Sequence, residues 1–212
     1  MTKHDETPRG RPLGFSPDAT LDELMYLFWD KGYDHTTQSD MMERTGLSSS
    51  SLYNTFGDKA AIFDAVLARY NEGIDAGCAP LFDRADGLEA LEVFIDRLGQ
   101  HVKEPRLGSA GCLVVTTMSE AGGEAEAVDT RINHYRAHIE EAMTASLDRA
   151  EKSGSIVPGN PGERAAILFA MYIGAQATAR VDADSASAMV QGMKSVLAGW
   201  MAPGEHRENR RT

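Results

Sequence analysis

With 212 residues, 42% hydrophobic and 25% charged, the chain has ordinary globular proportions and enough length for one domain, or a small domain joined to a larger one. Its longest apolar run, Ala165 to Ala179, is interrupted by Gly174 and Gln176 and flanked by Arg164 and Arg180, so no membrane span is expected. Two cysteines, Cys78 and Cys112, do not make a disulfide framework, a net charge of −11 argues against a simple basic nucleic-acid binder, and the lack of an apolar signal core points to the cytoplasm.

Residues 1–15 are polar, hold Pro8, Gly10, Pro12 and Gly14, and read as a flexible arm. Within it, Arg9 and Arg11 flank a glycine. Two arginines so spaced can lie in a narrow minor groove, where the potential is most negative, or can simply form a basic tail. Ser16-Pro17-Asp18 starts a helix with a capping hydroxyl, a first-turn proline and an acid near the positive dipole end. Leu21, Leu24, Met25 and Phe28 then follow helical spacing, Lys31-Gly32 ends the helix, and Tyr33 is expected to fold back on it. Thr37 begins a second helix with Asp40 as its capping partner. Gly46 stops that helix, since it takes a positive φ at low cost. Ser48 caps a third, from about Ser49 to Phe56. Leu52 and Phe56 share its buried face. Ser50 and Asn54 lie opposite, with Ser51 and Tyr53 to the sides. Helix, glycine turn, helix is a helix-turn-helix unit whose second helix reads DNA.

These residues resemble a family signature. Gly46-Leu47-Ser48, Ser51-Leu52-Tyr53-Asn54, Phe56 and Lys59, with Thr36, Asp40, Met41 and the earlier Leu27-Phe28 and Gly32-Tyr33, are similar to the DNA-binding motif of the tetracycline-repressor-like (TetR/AcrR) regulators. The likeness covers about the first third of the chain. Ser49-Ser50 stands where the family often has Lys-Gly, so one common basic contact is missing. The resemblance implies an all-α fold of about nine helices: an arm over 1–15, a DNA-binding domain over 16–58, an effector-binding and dimerisation domain over 59–202 and a disordered tail over 203–212. It also implies a homodimer that binds double-stranded operator DNA as a repressor and is released by a small-molecule effector, with no cofactor and no catalysis. The candidate DNA-facing residues are Arg9, Arg11, Thr36, Thr37, Ser39, Ser48, Ser49, Ser50, Ser51, Tyr53, Asn54 and Lys59. Ser49, Ser50 and Asn54 are assigned to base edges, and Thr37, Tyr53 and Lys59 to phosphates.

Asp58 caps a fourth helix, expected to run to about Gly73. From Gly87, the residues Leu88, Leu91, Ile95 and Leu98 make an apolar stripe. Cys112 to Met118 is β-branched but is read as a short buried helix, because a lone strand would have no partner. A long helix follows over about 125–152, with Val128, Ile132, Tyr135, Ile139, Met143 and Leu147 inward. The last two helices, 163–181 and 184–200, carry enough apolar surface to suggest a four-helix bundle between two subunits, with Ala175, Met189, Met193, Val196, Leu197 and Trp200 as interface candidates. The alternative is that both helices pack on their own core.

The effector pocket is placed among Phe94, Leu98, His101, Cys112, Val115, Met118, Tyr135, Met171, Tyr172 and Gln176. Methionines and aromatics suit an apolar or aromatic ligand, though each residue also fits plain core. Cys112 is either an inert thiol or, as in some relatives, an electrophile sensor, which needs an accessible thiolate. His134 and His138, four apart, fit either a metal-ligand pair lacking a third member or a solvated helix face. No nucleophile-elbow or phosphate-loop spacing is present, so an enzyme or ligand carrier with an incidental helix-turn-helix match is the runner-up.

Residues 1–59 hold six lysines and arginines against ten acids. A reading head with so few cations releases few counterions. Its log K against log salt slope is expected to be shallower than about −6; a slope near −8, as for a protein neutralising about 6–10 phosphates, would contradict this.

Overall fold

The computed structural model describes residues 14–104, 111–120 and 126–203. Over these residues the chain forms nine helices: α1 Pro17–Lys31, α2 Gln38–Thr45, α3 Ser49–Phe56, α4 Lys59–Asp83, α5 Gly87–His101, α6 Leu113–Glu120, α7 Glu126–Lys152, α8 Pro161–Ala179 and α9 Ala183–Trp200. No β-strand occurs among the described residues. One isolated bridge joins Ile156 to Met201, with Ala202 N–H donating to the Ser155 carbonyl at 2.9 Å, and so ties the end of α9 to the turn after α7.

The helix ends follow local chemistry. Ser16 caps α1 with proline in its first turn. Thr37 and Asp40 form a reciprocal capping box on α2. Gly46 closes α2 in the left-handed region at φ 68, a conformation that costs glycine little because it has no Cβ. Ser48 caps α3 and Asp58 caps α4. The stretch 113–118 is helical and largely buried, as the missing strand partner predicted.

The small head α1–α3 is held by Leu24, Phe28, Met41 and Leu52, all fully buried, and by the first turns of α4. The Phe63 ring lies 4.9 Å from Phe28 and 4.7 Å from Tyr33, so Tyr33 does fold back on the head. In the larger part α7 is central and packs on α4, α5 and α8, while α8 pairs with α9. Tyr135, Ile139, Met143 and Leu147 are its buried stripe.

One expectation fails. The fourth helix does not end near Gly73 but continues to Asp83, through Gly77 and Pro80. A helical glycine costs only about 1 kcal/mol relative to alanine, and tertiary packing offsets that. Along α4, Asn71 Nδ2 donates to the Arg131 carbonyl at 3.0 Å, and Cys78 and Leu81 are buried. Ser146 Oγ donates to the Leu81 carbonyl at 3.1 Å. Near the other end of this seam, Arg131 grips Asp64 through Nε at 2.8 Å and a second nitrogen at 3.0 Å.

Two glycines test opposite sides of this packing. A Cβ on Gly87 would overlap the Ser146 carbonyl oxygen, and one on Gly73 would meet nothing within 4 Å. Gly87→Ala is expected to destabilise the protein by about 1–3 kcal/mol, whereas Gly73→Ala should stabilise it by up to about 1 kcal/mol. Thermal or urea unfolding of the two variants measures both signs.

Candidate nucleic-acid interface and ligand cavity

The head presents α3 on a buried Leu52, with Ser48, Ser50 and Asn54 exposed and Ser49, Ser51 and Tyr53 half-buried. The serines form a local network: Ser48 Oγ lies 3.0 Å from Ser50 Oγ and 2.9 Å from Ser51 Oγ, and it accepts from the Ser51 amide at 3.2 Å. Gln38, the first residue of α2, hydrogen-bonds Ser49 across the turn. Gln38 is exposed and belongs to the same surface; its position beside the α2 cap is the signal that could have found it. Ser39 is exposed on α2. The Thr37 hydroxyl donates to Asp40 at 2.8 Å.

Thr36 drops out of the DNA-facing set. It is 1% exposed and its hydroxyl donates to the Gly32 carbonyl at 2.7 Å, so it closes the α1–α2 turn. Arg9 and Arg11 lie outside the described residues.

Every lysine and arginine of the described head is already engaged. Lys31 Nζ binds Asp40 at 2.6 Å and Arg44 Nε binds Glu23 at 2.6 Å. Lys59 Nζ sits 4.4 Å over the Tyr33 ring. Lys31, together with the Thr37 amide and hydroxyl, holds the Asp40 carboxyl at about 2. Its contribution to the capping box is therefore present above the ordinary value of 3.8 and is lost as pH falls through about 2. Placing the cations in intramolecular pairs leaves hydroxyls, amides and helix N-termini to meet phosphate.

A cavity of about 250 Å³ lies between α4, α5 and α8. Five candidates line it: Phe94, Leu98, His101, Tyr172 and Gln176. The α4 wall was missed, namely Tyr70, Gly73, Ile74, Gly77 and Cys78, along with Arg97 and Ile139. The expected stop at Gly73 removed Ile74, Gly77 and Cys78 from view, and the two glycines are what leave the space open. Cys112, Val115, Met118, Tyr135 and Met171 do not line it.

Cys112 and Tyr135 sit behind the cavity in a buried polar chain. Tyr70 Oη donates to Cys112 Sγ at 3.1 Å, Cys112 Sγ is 3.3 Å from Tyr135 Oη, and Tyr135 Oη donates to Tyr172 Oη at 3.1 Å. Gln176 Nε2 then donates to Tyr172 Oη at 3.2 Å. Burial raises the Cys112 thiol although both tyrosines partly offset it, and burial with nearby Asp75 pushes Cys78 up to about 12. Cys112 is 1% exposed. It lacks both properties a sensing thiolate needs.

His134 and His138 approach Asp75 of α4 at 3.2 and 3.5 Å. No group of three or more ligating side chains suited to a metal ion occurs among the described residues. His134 hydrogen-bonds the Asp75 carboxylate across the α4–α7 seam, while His138 Nε2 is buried without a hydrogen-bond partner.

Of the six interface candidates, Ala175, Met193 and Leu197 are buried within the protomer, Val196 and Trp200 are half-buried, and Met189 is exposed. The outward face of α8 and α9 lies elsewhere: Ala166, Ile167, Ala170 and Ala177 on α8, and Ala188, Met189 and Gly199 on α9. Ile167 is 48% exposed. The wholly apolar look of α8 concealed which side turned inward.

A helix-turn-helix head on a helical core with its own cavity defines a one-component DNA-binding regulator. The family model described as "Bacterial regulatory proteins, tetR family" matches residues 21–66, and "Tetracyclin repressor-like, C-terminal domain" matches residues 87–193. The chain is 31% identical over 154 residues to the HTH-type transcriptional repressor ComR of Escherichia coli, covering 71% of this chain and 72% of that one. It is 29% identical over 139 residues to the repressor BdcR of the same organism, covering 65% and 68%. A TetR-family regulator from Agrobacterium tumefaciens superposes with a TM-score of 0.76 at 22% identity, over 88% of this chain and 100% of that one. A cysteine variant of the TetR-family regulator CifR, complexed with 26 bp operator DNA, superposes with a TM-score of 0.76 at 23% identity, over 90% and 100%. The chain belongs to the tetR family and is a DNA-binding transcriptional regulator. No helix among the described residues is long and apolar enough to cross a membrane.

The thiol geometry has a direct consequence. In the folded protein, iodoacetamide near neutral pH is expected to leave Cys78 and Cys112 largely unmodified, and both should react in denaturant. Mass spectrometry of the intact chain distinguishes the two cases; rapid modification of Cys112 in the native state would restore the electrophile-sensing reading.

Proposed function

We propose that two copies of the chain, paired through α8 and α9, bind operator DNA as a repressor and release it when a small molecule fills the cavity between α4, α5 and α8. The observation that carries this reading is the exposed polar face of α3 mounted on the buried Leu52. Two α3 helices would enter successive major grooves about 34–36 Å apart for half-sites one turn apart. Asn54, exposed in the middle of that face, pairs with an adenine edge, while Ser49 and Ser50 contact neighbouring bases. Thr37 and Tyr53 approach phosphates, with Lys59 held beside them over the Tyr33 ring and the Arg9–Arg11 arm in the minor groove. Residues 16–58 serve as the reading domain and 59–202 as the sensing and pairing domain. The names of ComR and BdcR support repression as the sign.

The pairing assignment is supported by small side chains on the outward face of α8 and α9, which allow helix axes to approach closely, and by exposed Ile167 and Met189. The release mechanism is supported by the bonds that tie α1 to the core. Trp29 Nε1 donates to the Gly111 carbonyl at 3.1 Å, just before α6. Arg69 of α4 grips Asp22 of α1 through two nitrogens at 2.6 and 3.1 Å. Arg180 reaches the Asp30 carbonyl at 3.4 Å. A ligand that moves α4 therefore moves the head with it, and in a dimer the spacing of the two α3 helices changes.

Selection from a random DNA pool identifies the operator. On that DNA, Asn54→Ala is expected to cost about 1–3 kcal/mol at one base pair per half-site. Unchanged sequence preference would remove Asn54 from base reading. Ile167→Glu should shift the protein towards monomer in sedimentation and weaken operator binding with it; a stable dimer would move the interface off this face.

A further inference from the structure

The cavity carries chemistry that narrows its ligand, and this inference rests on the effector reading above. Its volume of about 250 Å³ is small. A cavity of about 150 Å³ holds a benzene ring, so this one has room for a single ring with substituents. The walls suit a planar ring. Phe94 and Tyr172 stand 5.6 Å apart on α5 and α8, and opposite them Gly73 and Gly77 present bare helix backbone with nothing within 4 Å of where a Cβ would be.

The polar groups are few, and two of their atoms are left without partners. Gln176 is 3% exposed; one end of its carboxamide donates to Tyr172, and Oε1 has no partner. His101 Nε2 is likewise buried and unpartnered. Burial lowers the His101 pKa, the Gly111 carbonyl and Glu104 oppose that shift, and the ring is neutral near pH 7. A buried carboxamide and imidazole left open in this way call for a hydrogen-bonding ligand group, because burying them unpaired is costly.

Arg97, one turn before His101 on α5, is exposed and lines the same cavity. Two acids of α5 are taken by other cations, Glu89 by Arg84 and Asp96 by Lys194. No ion pair engages Arg97 among the described residues. In a chain of net charge −11, an uncommitted guanidinium at a cavity mouth favours an anion, and its fork matches a carboxylate.

We infer that the cavity binds a small monocyclic aromatic carboxylate. Its ring lies between Phe94, Tyr172 and the Gly73–Gly77 backbone, its carboxylate meets Arg97 at the mouth, and a hydroxyl or amide on the far side of the ring meets His101 and Gln176.

Para-hydroxybenzoate and its uncharged amide, para-hydroxybenzamide, are the probes, titrated by calorimetry into the full-length protein. The acid should bind at least about tenfold more tightly than the amide, as expected for a charge-assisted pair. Arg97→Met should abolish that preference, and Arg97→Lys should restore part of it. Gly77→Leu, checked for an unchanged circular dichroism spectrum, should abolish binding of both. No binding of the acid, equal binding of acid and amide, or an undiminished preference in Arg97→Met overturns the inference. Operator affinity is measured separately with and without the acid. Binding without loss of operator affinity upholds the ligand assignment and removes effector release. Release by unrelated molecules, with no binding of the acid, upholds effector release and removes the ligand assignment.

Discussion

The seam between α4 and α7 is the constraint on which the rest depends. Asp64–Arg131, Asn71 with the Arg131 carbonyl, Asp75 with His134, and Leu81 with Ser146 and Arg149 fasten the two helices over most of the length of α4. Because α4 is fastened there, its first turns can serve as part of the head's core through Phe63, while its middle forms a wall of the cavity. A single helix thus belongs to both halves of the molecule. Displacement at one end is transmitted to the other as rigid-body motion, since helices do not compress.

The seam also explains the polar character of the interior. Tyr70 of α4, Cys112 before α6, Tyr135 of α7 and Tyr172 of α8 meet in one buried chain, and Gln176 closes it at the cavity. Every phenolic oxygen in it has a partner while burial raises the tyrosine pKa values, and the one open group of the chain is Gln176 Oε1 at its cavity end. The chain joins four elements and marks one face of the cavity as polar. The Cys112 thiol is a member of this network, and its role there is structural.

The cations of the described head, Lys31, Arg44 and Lys59, are all committed within it, so they organise the reading surface rather than supply a field. Hydroxyls of α3, the amide of Asn54 and helix N-termini are directional groups with short reach. In the proposed dimer, recognition built from them would favour geometry over electrostatic attraction, and the separation of the two heads would be the quantity a ligand could most effectively alter.

The head was legible from sequence because its signals are local. Caps at Ser16, Thr37, Ser48 and Asp58, the left-handed Gly46 and the four-residue spacing of Leu52 and Phe56 act within one or two turns, and the structure keeps each of them. Five of the ten cavity candidates do line it, and these were legible from the apolar spacing of α5 and α8. Three features were decided only by tertiary contact. Gly73 reads as a stop, yet packing on α7 carries α4 on to Asp83 and makes that glycine a gap in the cavity wall. Thr36 reads as DNA-facing, yet packing leaves it 1% exposed. Ala175, Met193 and Leu197 read as interface, yet they turn into their own core. Sequence periodicity states that a helix has an apolar face. Which neighbour covers that face depends on residues far along the chain, and only the folded arrangement brings them together.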